Sequence, residues 1–359
     1  MSDTPVIDFG LRFKSSAERM TTERAQRLVD VAKKMPYNVS FLDDATGGIR
    51  PKDLILIGAK TGLGKTDLAT TIAQRAAIDG KRVYYFALEA EENEIEQRMK
   101  YKALAKKAWP MLSPEDRARL DFSDWYDGEL DQVLGFYEKQ IEVELAGQLA
   151  NVFTYYRDAD FTVEDLERLA RAEQDRCDLM IIDHLHYIDV EEERKGRRGE
   201  ESGYASMVKR IRHLALTMGK PVILVVHLRK EDGRKGASML MPGTDEVHGS
   251  SEITKIATRC IFIAPARDQE QTASHLHPTY IQVAKHRMRG GVSHYAAVVE
   301  FNERKGSYED DYDLGRIVAG GTKFVPVADD KLPHWAHRAA KKQTEAPVAP
   351  GERQPGEEG

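Results

Sequence analysis

Short, almost uninterrupted apolar runs recur along the chain, and between them the apolar residues fall at intervals of three and four. The run at 54–57 is followed by helical spacing over 65–78, and the run at 82–88 by helical spacing over 91–106. A third run, at 152–155, precedes a helix over 163–175 with Thr162 as its cap, then a strand at 179–182. A helix over 201–218 leads through Pro221 to a strand at 222–226, and apolar runs at 260–264, 279–284 and 295–301 finish the set. Strands alternating with helices predict an α/β fold with a mainly parallel central sheet flanked by helices. A helical insert interrupts the alternation over about 107–150. It is opened by Ser113-Pro114-Glu115-Asp116, where Ser113 can cap, Pro114 suits the first helical position and Asp116 complements the helix dipole. A helix over 129–149 closes it.

The core is expected over 38–327. Before it, residues 1–37 form an arm in which Ala25, Leu28, Val29 and Ala32 make one apolar stripe and Pro36 stops the helix. That helix either packs on its own domain or docks on a neighbouring subunit. After it, 328–359 turns Lys/Ala-rich and then Pro/Gly/Glu-rich, a composition expected to stay disordered.

With 359 residues, 41% of them hydrophobic and 31% charged, the chain can build a sizeable core. A net charge of −6 excludes a uniformly basic coat, so nucleic-acid contact is confined to local loops or an assembled channel. Cys177 and Cys260 lie far apart in apolar runs, which argues against a disulfide framework or zinc site and for a reducing compartment. No stretch approaches the roughly 20 apolar residues of a membrane span, and the opening MSDTPVIDFG lacks a signal-peptide pattern, so the expectation is a cytoplasmic protein.

Chemistry concentrates where the first run ends. Ala59-Lys60-Thr61-Gly62-Leu63-Gly64-Lys65-Thr66 is a glycine-rich turn closing in Gly-Lys-Thr, the pattern of a phosphate-binding loop for ATP. Glycines let successive N–H groups face phosphate oxygens, and the following helix adds its positive end. Ala59 stands where the strict pattern has its first glycine. Lys65 is expected to hold the β and γ phosphates, and Thr66 to ligate Mg²⁺. Asp183 ends the buried run 179–182 and is the second candidate metal ligand. Glu89 ends the run after the phosphate loop and is the candidate general base, with Glu91 and Glu92 as alternatives. His227 ends another run and can hydrogen-bond the γ-phosphate, sensing its loss.

These strand ends, in this order, resemble the RecA-like P-loop core of the DnaB family of hexameric replicative helicases, over about residues 38–313. The most specific pieces are 59–66, Phe86-Ala87-Leu88-Glu89, Ile181-Ile182-Asp183-His184-Leu185 and Val283-Ala284-Lys285-His286-Arg287. The resemblance implies that Arg287 is an arginine finger and Lys285 its companion, both reaching the ATP site of the adjacent subunit; a plain basic loop with Arg289 is the alternative. It also matches His227 to the family's polar sensor, usually Gln, and Gly249-Ser250-Ser251-Glu252 to a segment beside the DNA-binding loop. Val247 and His248 replace the basic residue expected before that segment. Only about forty residues precede the core, so a helicase core with a linker helix is expected, without the primase-interacting domain.

Two glycine-bearing basic loops are the remaining DNA candidates: Arg194, Lys195, Arg197 and Arg198 in one, and Arg229, Lys230, Arg234 and Lys235 in the other. Together these features imply a Mg²⁺/ATP-dependent helicase moving on single-stranded DNA as a homo-oligomeric ring, with a primase or loader as further partner. A DNA-coating ATPase filament and a nucleotide-switched regulatory assembly are the alternatives.

Overall fold

Strands that are apolar at every position need neighbours on both edges and helices on both faces, and the chain supplies them. A computed structural model describes residues 15–60, 62–157, 159–190, 197–228, 239–247 and 251–336, with backbone only for 197–201 and 251. In chain order the strands are β1 (Leu54–Ala59), β2 (Val83–Ala87), β3 (Val152–Tyr156), β4 (Leu179–Asp183), β5 (Val222–His227), β6 (Arg259–Pro265), β7 (Leu276–His286), β8 (Ala296–Asn302), β9 (Ser307–Val318) and β10 (Lys323–Pro326). They form one sheet in the order β10-β9-β8-β7-β6-β1-β5-β4-β2-β3. The six from β3 to β6 run parallel, and β7 to β10 extend the sheet antiparallel.

The helices are α1 (Ser16–Ala32), α2 (Ser40–Thr46), α3 (Lys65–Ile78), α4 (Glu94–Ala108), α5 (Pro114–Ala118), α6 (Phe122–Tyr126), α7 (Asp131–Leu149), α8 (Val163–Ala172), α9 (Arg197–Met218) and α10 (Ser251–Ile256). Strand alternation sends Ile55, Ile57 and Ala59 to one face, against Leu68 and Ile72 of α3, and Leu54 and Leu56 to the other, in a core shared with Leu166 of α8 and Ile211 of α9. The insert has its own small core, in which Leu134, Ile141 and Leu145 of α7 meet Tyr101 and Leu104 of α4.

A buried ion pair fastens the segment before β1 to the sheet. Arg259, 1% exposed, donates to the Asp53 carboxylate at 2.9 Å, to Tyr37 Oη at 3.0 Å and to the Gly48 carbonyl at 2.6 Å. Asp53 also accepts from the Thr258 hydroxyl and the Arg50 N–H, both at 2.9 Å. Burial pushes the Tyr37 hydroxyl up to about 12, so it stays protonated beside the guanidinium.

Most expected elements appear within a few residues of their expected bounds, and the differences have physical causes. The strands β9 and β10 go beyond the sequence expectation: Tyr308, Tyr312 and Leu314 pack inward, but Glu309-Asp310-Asp311 hides the alternation. Residues 328–336, expected in a disordered tail, are described here, and Trp335 and Ala336 are buried, Trp335 lying against Phe41 and Tyr295. The expected amphipathic helix forms α1, held by a Ser15–Glu18 capping box, yet it buries none of its residues. Arg197 and Arg198, expected in a loop, open α9.

Removing one partner of a buried pair strands the other charge, so Arg259→Ala is expected to cost about 3–5 kcal/mol in denaturant unfolding. The paired change Asp53→Asn with Arg259→Met should cost less than Arg259→Ala alone; an equal or larger loss would show that the pair does not set the cost.

Candidate nucleotide-binding site

The carboxyl ends of β1, β2, β4 and β5 lie at one edge of the sheet. From β1 the chain enters the loop 60–64 and then α3, which begins at Lys65. Gly62 and Gly64 adopt left-handed backbone, with φ of +77° and +74°, conformations that cost other residues energy. A Cβ on Gly64 would also stand 3.2 Å from Tyr308 Oη. Ala59 closes β1, and Leu63 packs against the core. Thr61 lies outside the described residues.

Lys65 is 7% exposed, and its Nζ turns back to donate to the Lys60 carbonyl at 3.1 Å. Burial lowers its pKa, while the carboxylates of Asp183 and Glu89 pull the other way. A buried ammonium is costly without such compensation, amounting to several kcal/mol. From α4, Lys102 donates to the Thr70 hydroxyl at 2.7 Å and to the Asp67 carbonyl at 2.9 Å, and pairs with the Asp67 carboxylate at 3.0 Å. These bonds anchor the start of α3, and with it Lys65 and Thr66.

Asp183 closes β4, in register with Ala87 of β2. Its Oδ2 accepts from Tyr85 Oη at 2.7 Å, and the Thr66 hydroxyl lies near the carboxylate. Burial raises the Asp183 pKa against the influence of Tyr85, Thr66 and the Lys65 charge. Oδ1 is buried with no hydrogen-bond partner among the described residues. An orphaned carboxylate oxygen beside a threonine hydroxyl, ahead of a lysine, suits a hard cation that takes oxygen ligands, so the residues present fit Mg²⁺.

Glu89 follows β2, held in line by the Leu88 N–H donating to the Asp183 carbonyl at 2.7 Å. Its side chain is 46% exposed, and Oε2 lies 2.9 Å from His184 Nε2. Burial first, and the Asp183 charge second, raise its pKa, as a base working near neutral pH requires. Glu91 and Glu92 are exposed and precede α4. His227 ends β5 opposite Ala59, and its Nε2 is 2.6 Å from that of His184. Burial and then the neighbouring charges of His227, His186 and Lys65 push His184 down to about 2, so its ring is neutral.

Lys65, Thr66, Asp183, Glu89 and His227 are therefore brought together. Lys285 and Arg287 are not: His286 pairs with Arg259 at the start of β6, so both flank the amino edge of the parallel strands. Arg287 is exposed there, whereas Lys285 donates to the Thr254 and Lys255 carbonyls at 2.6 and 2.7 Å, capping the end of α10. Arg194, Lys195, Arg229, Lys230, Arg234 and Lys235, the side chains of Arg197 and Arg198, and His248 to Ser250 lie outside the described residues. Sequence reading gave no role to Tyr85, Lys102, His184 or Tyr308. A polar residue directly after the strand-end Asp183, repeated as His184-x-His186, was the available signal for His184.

The fold and these strand ends define a RecA-like phosphate-binding-loop domain. The chain belongs to the DnaB-like helicase C-terminal domain family, whose profile matches residues 35–310. It is similar to the replicative DNA helicase DnaB of Leifsonia xyli subsp. xyli (strain CTCB07), 24% identical over 257 residues, covering 70% of this chain and 51% of that protein. The replicative DNA helicase DnaB of Treponema pallidum (strain Nichols) is 25% identical over 238 residues, covering 65% and 48%. The chain thus spans about half the length of these curated relatives. Among solved structures, an isolated ATPase domain aligns with a TM-score of 0.64 at 16% identity, over 83% of this chain and all of that one. A DnaB-like replicative helicase, solved in a study of its interactions with primase, aligns with a TM-score of 0.60 at 18% identity, over 82% and 67%. At these identities the structural likeness shows the fold.

Gly64→Ala forces a side chain into left-handed backbone and against Tyr308, so it should lower unfolding stability by about 1–2 kcal/mol. Thermal unfolding checks this, and a variant as stable as the parent would show that the loop relaxes freely.

Proposed function

We propose that this chain is the motor domain of a Mg²⁺/ATP-dependent DNA helicase that assembles head to tail and moves along single-stranded DNA as a ring. One observation carries the reading: five expected nucleotide-site residues converge at one edge of the sheet, while Arg287 stands exposed at the other. Thr66 and Asp183 would hold Mg²⁺, which supplies positive charge to the phosphates when bound. Lys65 binds the β and γ phosphates, Glu89 orients and deprotonates the attacking water, and His227 hydrogen-bonds the γ-phosphate. Arg287 cannot serve the site of its own chain from the far edge, so in this reading it stabilises the transferred phosphoryl group of the next subunit.

Two further features support assembly. The helix α1 leaves Met20, Leu28, Val29 and Val31 exposed, apolar surface suited to a neighbouring subunit. Between α1 and the Arg287 edge lies a cleft of about 1200 Å³. The basic stretches around Arg194 and Arg229 remain the proposed DNA contacts, and a primase or loader the proposed further partner. Cys177 and Cys260 are buried, and a reducing, cytoplasmic setting remains the proposed one. Among the described residues no helix is long and apolar enough to cross a membrane.

Lys65→Ala should abolish hydrolysis by removing phosphate contacts, whereas Arg287→Ala should abolish it with nucleotide binding nearly unchanged. Normal turnover in either variant would overturn the assignment. Stimulation of turnover by single-stranded DNA at low salt is expected, together with closed rings in micrographs. Open filaments would favour the coating ATPase, and no oligonucleotide binding would favour a regulatory assembly.

Acidity offers a separate test. Glu89 must be ionised to act as base, and its pKa is raised, so kcat should fall on acidification at a pH above the ordinary glutamate range. A rate that holds well below that ordinary range, where Glu89 would be protonated, would exclude it as the base.

A further inference from the structure

Between the expected base and the expected sensor sits a residue that neither role accounts for. His184 follows Asp183 on β4, the strand between β2, which leads to Glu89, and β5, which ends in His227. Its ring is 2% exposed and packed edge-on against Tyr187, with centroids 4.8 Å apart, so its orientation is fixed. Nδ1 accepts the His186 backbone N–H at 3.3 Å. A neutral ring that accepts at Nδ1 carries its proton on Nε2. That one proton faces two acceptors, Glu89 Oε2 at 2.9 Å and His227 Nε2 at 2.6 Å.

We propose that His184 is a positioning residue, tying the orientation of Glu89 to whether His227 is engaged with the γ-phosphate. While His227 rests against His184, the Nε2 proton is shared between His227 and Glu89. Accepting at Nε2 keeps the proton of His227 on its own Nδ1. When His227 turns to the γ-phosphate it gives up the shared proton, and His184 donates to Glu89 alone. The carboxylate is then held by an undivided hydrogen bond only when there is a γ-phosphate to cleave. The inference rests on the ATPase reading above.

A transition metal held by Glu89, His184 and His227 is the competing use of these groups. Two imidazole nitrogens on one tetrahedral zinc, with bonds of about 2.0 Å, stand about 3.3 Å apart, farther than these two. Ligand histidines also donate from their second nitrogen, whereas Nδ1 of His184 accepts. Both features favour a shared proton.

The test compares steady-state ATP turnover and binding of a non-hydrolysable ATP analogue in the full chain carrying His184→Phe or His184→Gln. Phe keeps the buried ring but loses the donor, and kcat is expected to fall about 10- to 100-fold with KM and analogue binding little changed. Gln returns an N–H near the Nε2 position and should restore most of the loss. Adding His227→Ala to His184→Phe should cost less than His227→Ala costs in the parent chain, because the coupling between the two is already lost while the γ-phosphate contact of His227 is not. Unchanged kcat in His184→Phe, no rescue by Gln, or fully additive losses would overturn the proposal.

Imidazole ¹H–¹⁵N spectra of the nucleotide-free chain, assigned by the loss of signals in His184→Phe, test the proton position without relying on turnover. The Nε2–H tautomer is expected for His184. An Nδ1–H tautomer would sink the inference even if the protein hydrolyses ATP, and an inactive parent chain with the expected tautomer would indict the ATPase reading instead.

Discussion

Parallel pairing on both sides of β1 is the constraint on which the rest depends. Because β5 and β6 both run with it, and β4 and β2 follow in the same sense, their carboxyl ends share one edge of the sheet. Each strand is apolar until it leaves the core, so the first polar residue of each emerges at that edge beside the others. The loop after β1 is free to curl only because Gly62 and Gly64 accept left-handed backbone. The site is thus a consequence of strand direction and length, and a shift of one residue in any of these strands would send its terminal side chain to the opposite face.

Proximity at that edge then sets the chemistry. Lys65 and Asp183 are both buried, and neither would be tolerated there alone. Each offsets part of the other's desolvation, and Tyr85 supplies a hydrogen bond to the carboxylate. Glu89, though more exposed, is left a weaker acid than usual by burial first and the like charge of Asp183 second, with Lys65 pulling the other way. Burial first, and then the charges of His227, His186 and Lys65, keep His184 neutral. A group that stays neutral through the physiological range can act as a fixed donor, which a titrating histidine could not.

Much of this was legible in the sequence because strand ends announce themselves: a continuous apolar run followed by Asp183, Glu89 or His227 needs only the direction of the sheet to become a site. What was not legible depends on geometry across strands or on weak patterns. The place of His184 between Glu89 and His227 requires the order β5-β4-β2, which no local spacing states. Tyr85 lies inside an apolar run and reads as core, although its hydroxyl is spent on Asp183. The strand β9 is masked by its acidic outer face, and Trp335, which packs on Phe41, is surrounded by polar sequence. Lys285 was paired with Arg287 by resemblance, yet its ammonium caps α10.

In the head-to-tail reading, the antiparallel extension explains how one chain would hold parts of a site at two edges. The strand β7 returns against β6, so the segment after it emerges beside Arg259 and Thr258, where the parallel strands begin. Arg287 is thereby anchored through its backbone to the Thr258 carbonyl, in turn next to the buried Asp53–Arg259 pair that secures the base of β1. The amino edge is thus built around one rigid ion pair and the carboxyl edge around the phosphate loop, with β1 joining them. If two copies meet edge to edge, a displacement at Arg287 passes along a strand with no loose residue to absorb it, since every position of β1 is buried. In the head-to-tail reading, the stiffness of β1 links what the finger senses in one site to the loop that binds phosphate in the next.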